Sequence, residues 1–301
     1  MSPYILKKIY DLSFNKKLFL TTCMGIASTV ATQPWNFFPV IWITIPLLII
    51  TLDSIKTKIK SFLIGWFFGL GYFGSSFSWI TNAFYVNEEM YGSIAIPSVF
   101  LLSFGFAIYI GLLCLMLAFY PRSFINEKKE NDHLINSWWV CWYKITFFSS
   151  MWAIIEWFRG WFLTGFPWNP IGNIWGNYLY VSQSVSIFGV YGLSLITILS
   201  ACSFYILFNM NKHYSKIFLI ILCNVPIILA TAWGAYRVTN TNISYVDKIE
   251  LKLIQPNISQ KDKWVQKLRR GHLEKLVKMS RKENENTTHI VWPEVAVTYP
   301  I

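Results

Sequence analysis

The 301-residue chain is 54% hydrophobic and 18% aromatic but only 14% charged, and its mean hydropathy is +0.41. A soluble domain carries about a quarter charged residues, so this deficit excludes an ordinary soluble globule. The net charge of +11 does not point to nucleic acid, because most of the bases fall between apolar runs or after residue 236, and no basic stripe is interleaved with stacking aromatics.

At the N-terminus, Lys7, Lys8, Lys16 and Lys17 precede a short apolar run in the manner of a signal peptide. TQPWNFFP and a second apolar stretch follow at once, without a small-residue cleavage site, so the run reads as an uncleaved span. About 18 apolar residues suffice to cross a bilayer core as a helix. On that basis the chain predicts a membrane α-helical bundle over 1–236 with about seven spans, near 18–33, 35–52, 62–85, 93–120, 138–163, 181–208 and 216–236. If the N-terminus is cytoplasmic, the inner segments hold Lys7, Lys8, Lys16, Lys17, Lys56, Lys58, Lys60, Arg122, Lys128, Lys129, Lys212 and Lys216. The outer turns hold Arg159 alone. That asymmetry satisfies the positive-inside rule and places residues after about 236 outside the cytoplasm.

In the third span, Gly65, Gly69, Gly71 and Gly74 punctuate GWFFGLGYFGSSFSW. Close helix packing and direct contact with a lipid substrate both fit such a stripe. Cys23, Cys114, Cys141, Cys202 and Cys223 all lie within or at the edge of apolar runs, without CxxC or metal-ligand spacing. They read as small packing residues. No P-loop and no GxGxxG after a strand is present, so the sequence implies no metal and no cofactor.

Two places carry candidate chemistry. Where the fifth span meets the outer surface, residues 156–173 read EWFRGWFLTGFPWNPIGN. Glu156 and Arg159 are three apart on a helix, and a mutual ion pair is the default account of charges near lipid. Gly165, Phe166, Pro167 and Trp168 open an irregular segment rich in interface-favouring tryptophan. A structural hairpin and a headgroup-binding loop both fit it. The second place is the tail, 237–301. IELKLIQPNI alternates like a strand, and Trp264, Leu268, His272, Leu276 and Met279 line one face of an amphipathic helix. HIVWPE then reads as a short buried strand, giving a βαβ opening of an α/β domain that this stretch leaves unfinished. Glu294 follows the second strand, at the end where α/β sheets place reactive groups. As a general base or as an exposed loop carboxylate it fits equally well on spacing alone.

GWFFGLGYFGSSFSW, EWFRGWFLTGFPWNPIGN, GVYGLSLIT, LIQPNISQKDKW and VWPEVAV stand in the order in which similar stretches occur in bacterial apolipoprotein N-acyltransferases. The resemblance implies a membrane bundle followed by an incomplete nitrilase-like (CN hydrolase) domain over 237–301. It also implies residence in the bacterial inner membrane, a phospholipid acyl donor and a diacylglyceryl-modified apolipoprotein acceptor. Glu294 matches the family's general base. The family's Lys and its thioester-forming Cys have no counterpart in 1–301, and the tail contains no cysteine. A truncated, frameshifted or split enzyme with a complementing C-terminal polypeptide is therefore expected. The rival readings are a non-catalytic lipid-binding remnant and a polytopic transporter. Against a transporter stands the scarcity of acidic groups within the spans, where only Glu156 is found.

Overall fold

The computed structural model describes residues 3–119, 138–163, 165–209, 213–281 and 286–298. Arg122, Lys128, Lys129, Lys212, Thr164 and residues 299–301 lie outside the described residues. The chain forms two compact units: Met1–Ile80 with Ile96–Asn240, and Thr81–Ala95 with Thr241–Ile301.

The first unit is helical. Its elements are α1 (Pro3–Tyr10), α2 (Phe14–Ser28), α3 (Ile41–Asp53) and α4 (Lys58–Ser76). After α5 (Thr81–Phe84), which belongs to the second unit, come α6 (Glu88–Phe119), whose residues up to Ala95 are also counted with the second unit, and α7 (Trp138–Arg159). The series ends with α8 (Leu179–Ser182), α9 (Val185–Ala201), α10 (Ser203–Asn209) and α11 (His213–Asn240). Phe68, Phe148, Ile45, Leu48 and Ile64 are fully buried at its centre.

Among the described residues, three helical stretches are long and apolar enough to cross a membrane: Ser78–Phe119, Val185–Phe208 and Tyr214–Asn240. The other predicted spans form helices of a different kind. α2 has 15 residues and α3 has 13. At 1.5 Å per residue they rise only about 20 Å, short of a hydrocarbon core of about 30 Å. α7 is long enough but carries Lys144, Glu156 and Arg159. The third predicted span stops at Ser76 rather than 85. There the Ser78 hydroxyl donates to the Ser75 carbonyl at 2.8 Å, offering the backbone an alternative to the next helical bond.

The glycines of α4 serve packing on two sides. A Cβ on Gly71 would strike the Thr22 carbonyl of α2, and one on Gly25 of α2 would strike the Phe68 carbonyl of α4. Toward α6, a Cβ on Gly69 would sit 2.8 Å from Cα of Ala107, and one on Gly65 would sit 2.5 Å from Sγ of Cys114. Backbones approach this closely only where side chains are absent. Gly74 alone of the four has open space around it. α9 bends at Gly189, whose φ of 68° is the left-handed conformation that glycine adopts without a Cβ clash.

The second unit contains a parallel pair, β1 (Leu251–Leu253) and β2 (His289–Val291), with Leu251 opposite His289 and Leu253 opposite Val291. Between them lie α12 (Gln260–Lys263) and α13 (Arg269–Arg281). The amphipathic helix therefore starts at Arg269, later than its periodicity predicts. Trp264 and Leu268 fall outside it and stay exposed, while Leu276 is buried. Lys252 donates from Nζ to the Ser280 carbonyl at 3.0 Å, and Trp292 Nε1 to the Ser280 hydroxyl at 2.8 Å, tying helix and sheet together.

Candidate functional site

The end of α7 and the segment that follows make a tightly bonded structure. Glu156 and Arg159 are both buried, at 6% and 3% exposure. They do not form the predicted ion pair: no Glu156–Arg159 contact falls within 4 Å. Each instead holds the irregular segment through its backbone. Glu156 Oε1 accepts from Ile171 N–H and from Trp152 Nε1, both at 2.8 Å. Arg159 Nη1 donates to the Phe166 carbonyl at 3.1 Å and the Trp168 carbonyl at 2.7 Å. The physical reason is that an irregular segment inside an apolar bundle exposes carbonyls and N–H groups that need partners of matching polarity.

Neighbouring elements complete the clamp. Tyr72 donates to the Asn169 carbonyl at 3.1 Å, and Gly172 N–H to the Ser194 hydroxyl at 2.9 Å. Trp175 Nε1 donates to Thr197 Oγ1 at 2.8 Å. The Arg159 guanidinium lies 5.4 Å from the Phe73 ring and 5.8 Å from the Phe106 ring, within cation–π range. Phe166 packs on Phe77 and Phe106, whereas Pro167 is exposed and Trp168 stacks on Trp79 with centroids 4.7 Å apart. Gly165 has φ 74°, and a Cβ there would meet the Gly160 carbonyl, so the turn needs glycine twice over. Among the described residues Glu156 Oε2 has no hydrogen-bond partner.

Beside this clamp opens a groove of about 540 Å³, lined by Gln33, Ser76, Trp79, Asn169, Asn173 and Trp175 among others. Its walls combine amides, hydroxyls and indoles with the aliphatic Val185, Val190 and Leu193, and among the described residues no charged side chain lines it. Such a surface can hydrogen-bond a neutral polar group while the tryptophans face apolar chains.

Sequence reasoning missed a second buried polar cluster. Asp53 at the end of α3, Lys144 in α7 and Tyr205 in α10 form a closed ring. Lys144 Nζ donates to Asp53 Oδ1 and, at 3.0 Å, to the Tyr205 oxygen, and Tyr205 O–H donates to Asp53 Oδ2 at 2.8 Å. The signal was present: Lys144 is the only base of the predicted fifth span before Arg159. Glu156 is thus not the sole acid of the bundle, but Asp53 is fully partnered. Cys114, Cys202 and Cys223 are buried as packing residues, Cys141 is half-buried, Cys23 is exposed, and all five are free.

In the second unit, Glu294 stands in the turn after β2, exposed, with its backbone carbonyl accepting from Lys263 Nζ at 3.2 Å. The next residue, Val295, has φ 53°. A β-branched residue in that region is strained, and such strain clusters at functional turns. A cleft of about 150 Å³ adjoins the turn, lined by Pro256, Asn257, Lys263, His272, Pro293 and Val295 among others. The Glu294 side chain does not line it.

Comparison with known proteins gives one consistent answer. Residues 24–203 match the family model described as the apolipoprotein N-acyltransferase N-terminal domain. The chain is similar to proteins named apolipoprotein N-acyltransferase from Rickettsia prowazekii, 30% identical over 95% of this chain and 53% of that protein. It is likewise similar to those from Rickettsia typhi, 30% identical over 92% and 51%, and Rhodopseudomonas palustris, 24% identical over 94% and 52%. The chain spans about half the length of the curated relatives it matches.

Proposed function

Since the chain belongs to the apolipoprotein N-acyltransferase N-terminal domain family, we propose that it takes part in phospholipid-dependent N-acylation of apolipoproteins. In this reading it crosses the bacterial inner membrane about seven times, short helices included, with the N-terminus cytoplasmic and residues after about 236 outside. The second unit is the opening of a nitrilase-like domain. Leu251, Leu253 and Val291, apolar and exposed on one face of its parallel pair, would meet the rest of that domain, because parallel sheets are normally covered on both faces. Sequence beyond 1–301, on the same or on a complementing polypeptide, would supply the Lys and Cys that the resemblance implies.

The observation that carries the proposal is the position of Glu294, directly after a parallel strand, on a strained turn and beside a cleft. There it can take the proton of a cysteine thiol as the thiolate attacks the phospholipid ester, and return it to the departing lysophospholipid oxygen. The free α-amine of the lipoprotein's diacylglyceryl-cysteine then attacks the thioester, forming the amide and regenerating the thiol. The groove beside the 165–176 segment suits the polar ester region of the donor, with Glu156, Arg159, Gly165, Phe166, Pro167 and Trp168 shaping its support.

The test is complementation of a strain depleted of its own N-acyltransferase. Residues 1–301 would be co-expressed with the C-terminal half of the Rickettsia prowazekii relative, and lipoprotein N-termini analysed by mass spectrometry. Triacylated product that disappears in Glu294→Gln at unchanged protein level is the expected result. Residues 1–301 alone should give none, because 237–301 contains no cysteine. Product undiminished in Glu294→Gln would refute the assignment.

A further inference from the structure

Residues 260–281 carry eight basic residues against two acids, Asp262 and Glu274. This short stretch thus supplies six of the chain's eleven net positive charges. The charge is concentrated on the outside of α13. Leu276 is buried on its inner side, and Ser280 bonds there to Lys252 and Trp292. Arg270, Lys275, Lys278 and Arg281 are exposed. Among the described residues the one acidic partner these four have is Glu274, 3.0 Å from Arg270.

A merely solvated face needs charge but no apolar surface, and this one has both. Leu273 and Val277 are half-buried on α13 and, with Glu274, Lys278 and Arg281, line an open groove of about 500 Å³. Immediately before the helix, Trp264, Val265 and Leu268 are 49%, 41% and 43% exposed. A basic helix with apolar residues along its flank and an exposed tryptophan beside it is the composition that lies on an anionic bilayer surface. Single-stranded nucleic acid would require a row of stacking aromatics, and only Trp264 occurs in this stretch. The partner is also at hand. α11 is one of the helices able to cross a membrane, it ends at Asn240, and β1 begins at Leu251. The chain's own membrane is therefore about twenty residues away from Gln260 along the backbone.

We propose that residues 260–281 form a docking surface for anionic phospholipid headgroups, holding the second unit against the bilayer independently of any acyl transfer. Lys278 and Arg281 would bracket a lipid phosphate over the Leu273–Val277 floor, while Trp264 and Leu268 insert at the interface.

The experiment uses the whole 301-residue chain in nanodiscs of phosphatidylcholine, with or without phosphatidylglycerol, and follows amide hydrogen exchange. Exchange over 260–281 should slow about tenfold when phosphatidylglycerol is present and recover in high salt. The double variant Lys278→Glu with Arg281→Glu should abolish that protection. Both side chains point away from Leu276, so unchanged exchange at β1 and β2 will confirm that the fold persists. Equal exchange in the two lipids, or protection that survives the double variant, would overturn the proposal. Protection that ignores salt would mean burial against protein, and equal protection by soluble heparin in phosphatidylcholine discs would mean a general polyanion site. Either result excludes the lipid assignment.

Discussion

Lys144→Met removes the cation from the Asp53–Lys144–Tyr205 ring, and the size of the effect follows from burial. The two charged side chains are 5% and 8% exposed, so solvent can do little to replace the lost partner. Breaking a buried pair by deleting one member costs on the order of 3–5 kcal/mol, because the other charge is left uncompensated. Tyr205 still donates to Asp53 Oδ2, which favours the lower end of that range. Asp53→Asn should cost a similar amount by stranding the ammonium. The double variant leaves no net charge to desolvate, and only hydrogen bonds of about 1 kcal/mol each are lost. If the sites were independent the double variant would lose roughly 6–10 kcal/mol. The ring predicts about half that or less, a coupling of several kcal/mol. Unfolding in mixed micelles by SDS titration, run on all four proteins, measures it. Because the pair is shielded, the coupling should also be insensitive to salt. Additivity within about 0.5 kcal/mol would refute the reasoning, since uncoupled sites behave that way.

Two further predictions rest on the first unit. Arg159→Ala strips two carbonyls, those of Phe166 and Trp168, of their donor. It should cost about 2–4 kcal/mol and make the 165–176 segment cleavable by protease, whereas Arg159→Lys should restore only part of the loss; wild-type protease resistance in Arg159→Ala would remove the clamp. The proposed orientation predicts that reporters active only outside the cytoplasm are silent when fused after residue 56 or 130 and active after 240, and activity after 130 would invert the scheme.

The sequence by itself determined which stretches are helical, though not where each helix ends, because burial in lipid or in a bundle is a local demand that a run of apolar side chains either meets or fails. The same local logic made Leu251–Leu253 and His289–Val291 legible as strands around a helix, and Pro293 as the end of the second. It could not determine which polar groups meet. Asp53 and Lys144 are 91 positions apart, and Asp53 and Tyr205 are 152 apart, so no periodicity links them. Glu156 and Arg159 looked like partners because they are three apart on one helix. Tertiary structure gave each a different set of backbone groups, 7 to 15 residues further on. The amphipathic period of 264–279 likewise overran its helix, because a period records which side chains can share a face and not where the backbone bonds begin. The lengths of α2 and α3 belong to the same class. Hydropathy reports that a segment is apolar, but whether it spans a bilayer or packs as a short helix depends on what surrounds it. Those choices are made by packing and by the pairing of buried polar groups, and both exist only once distant parts of the chain have come together.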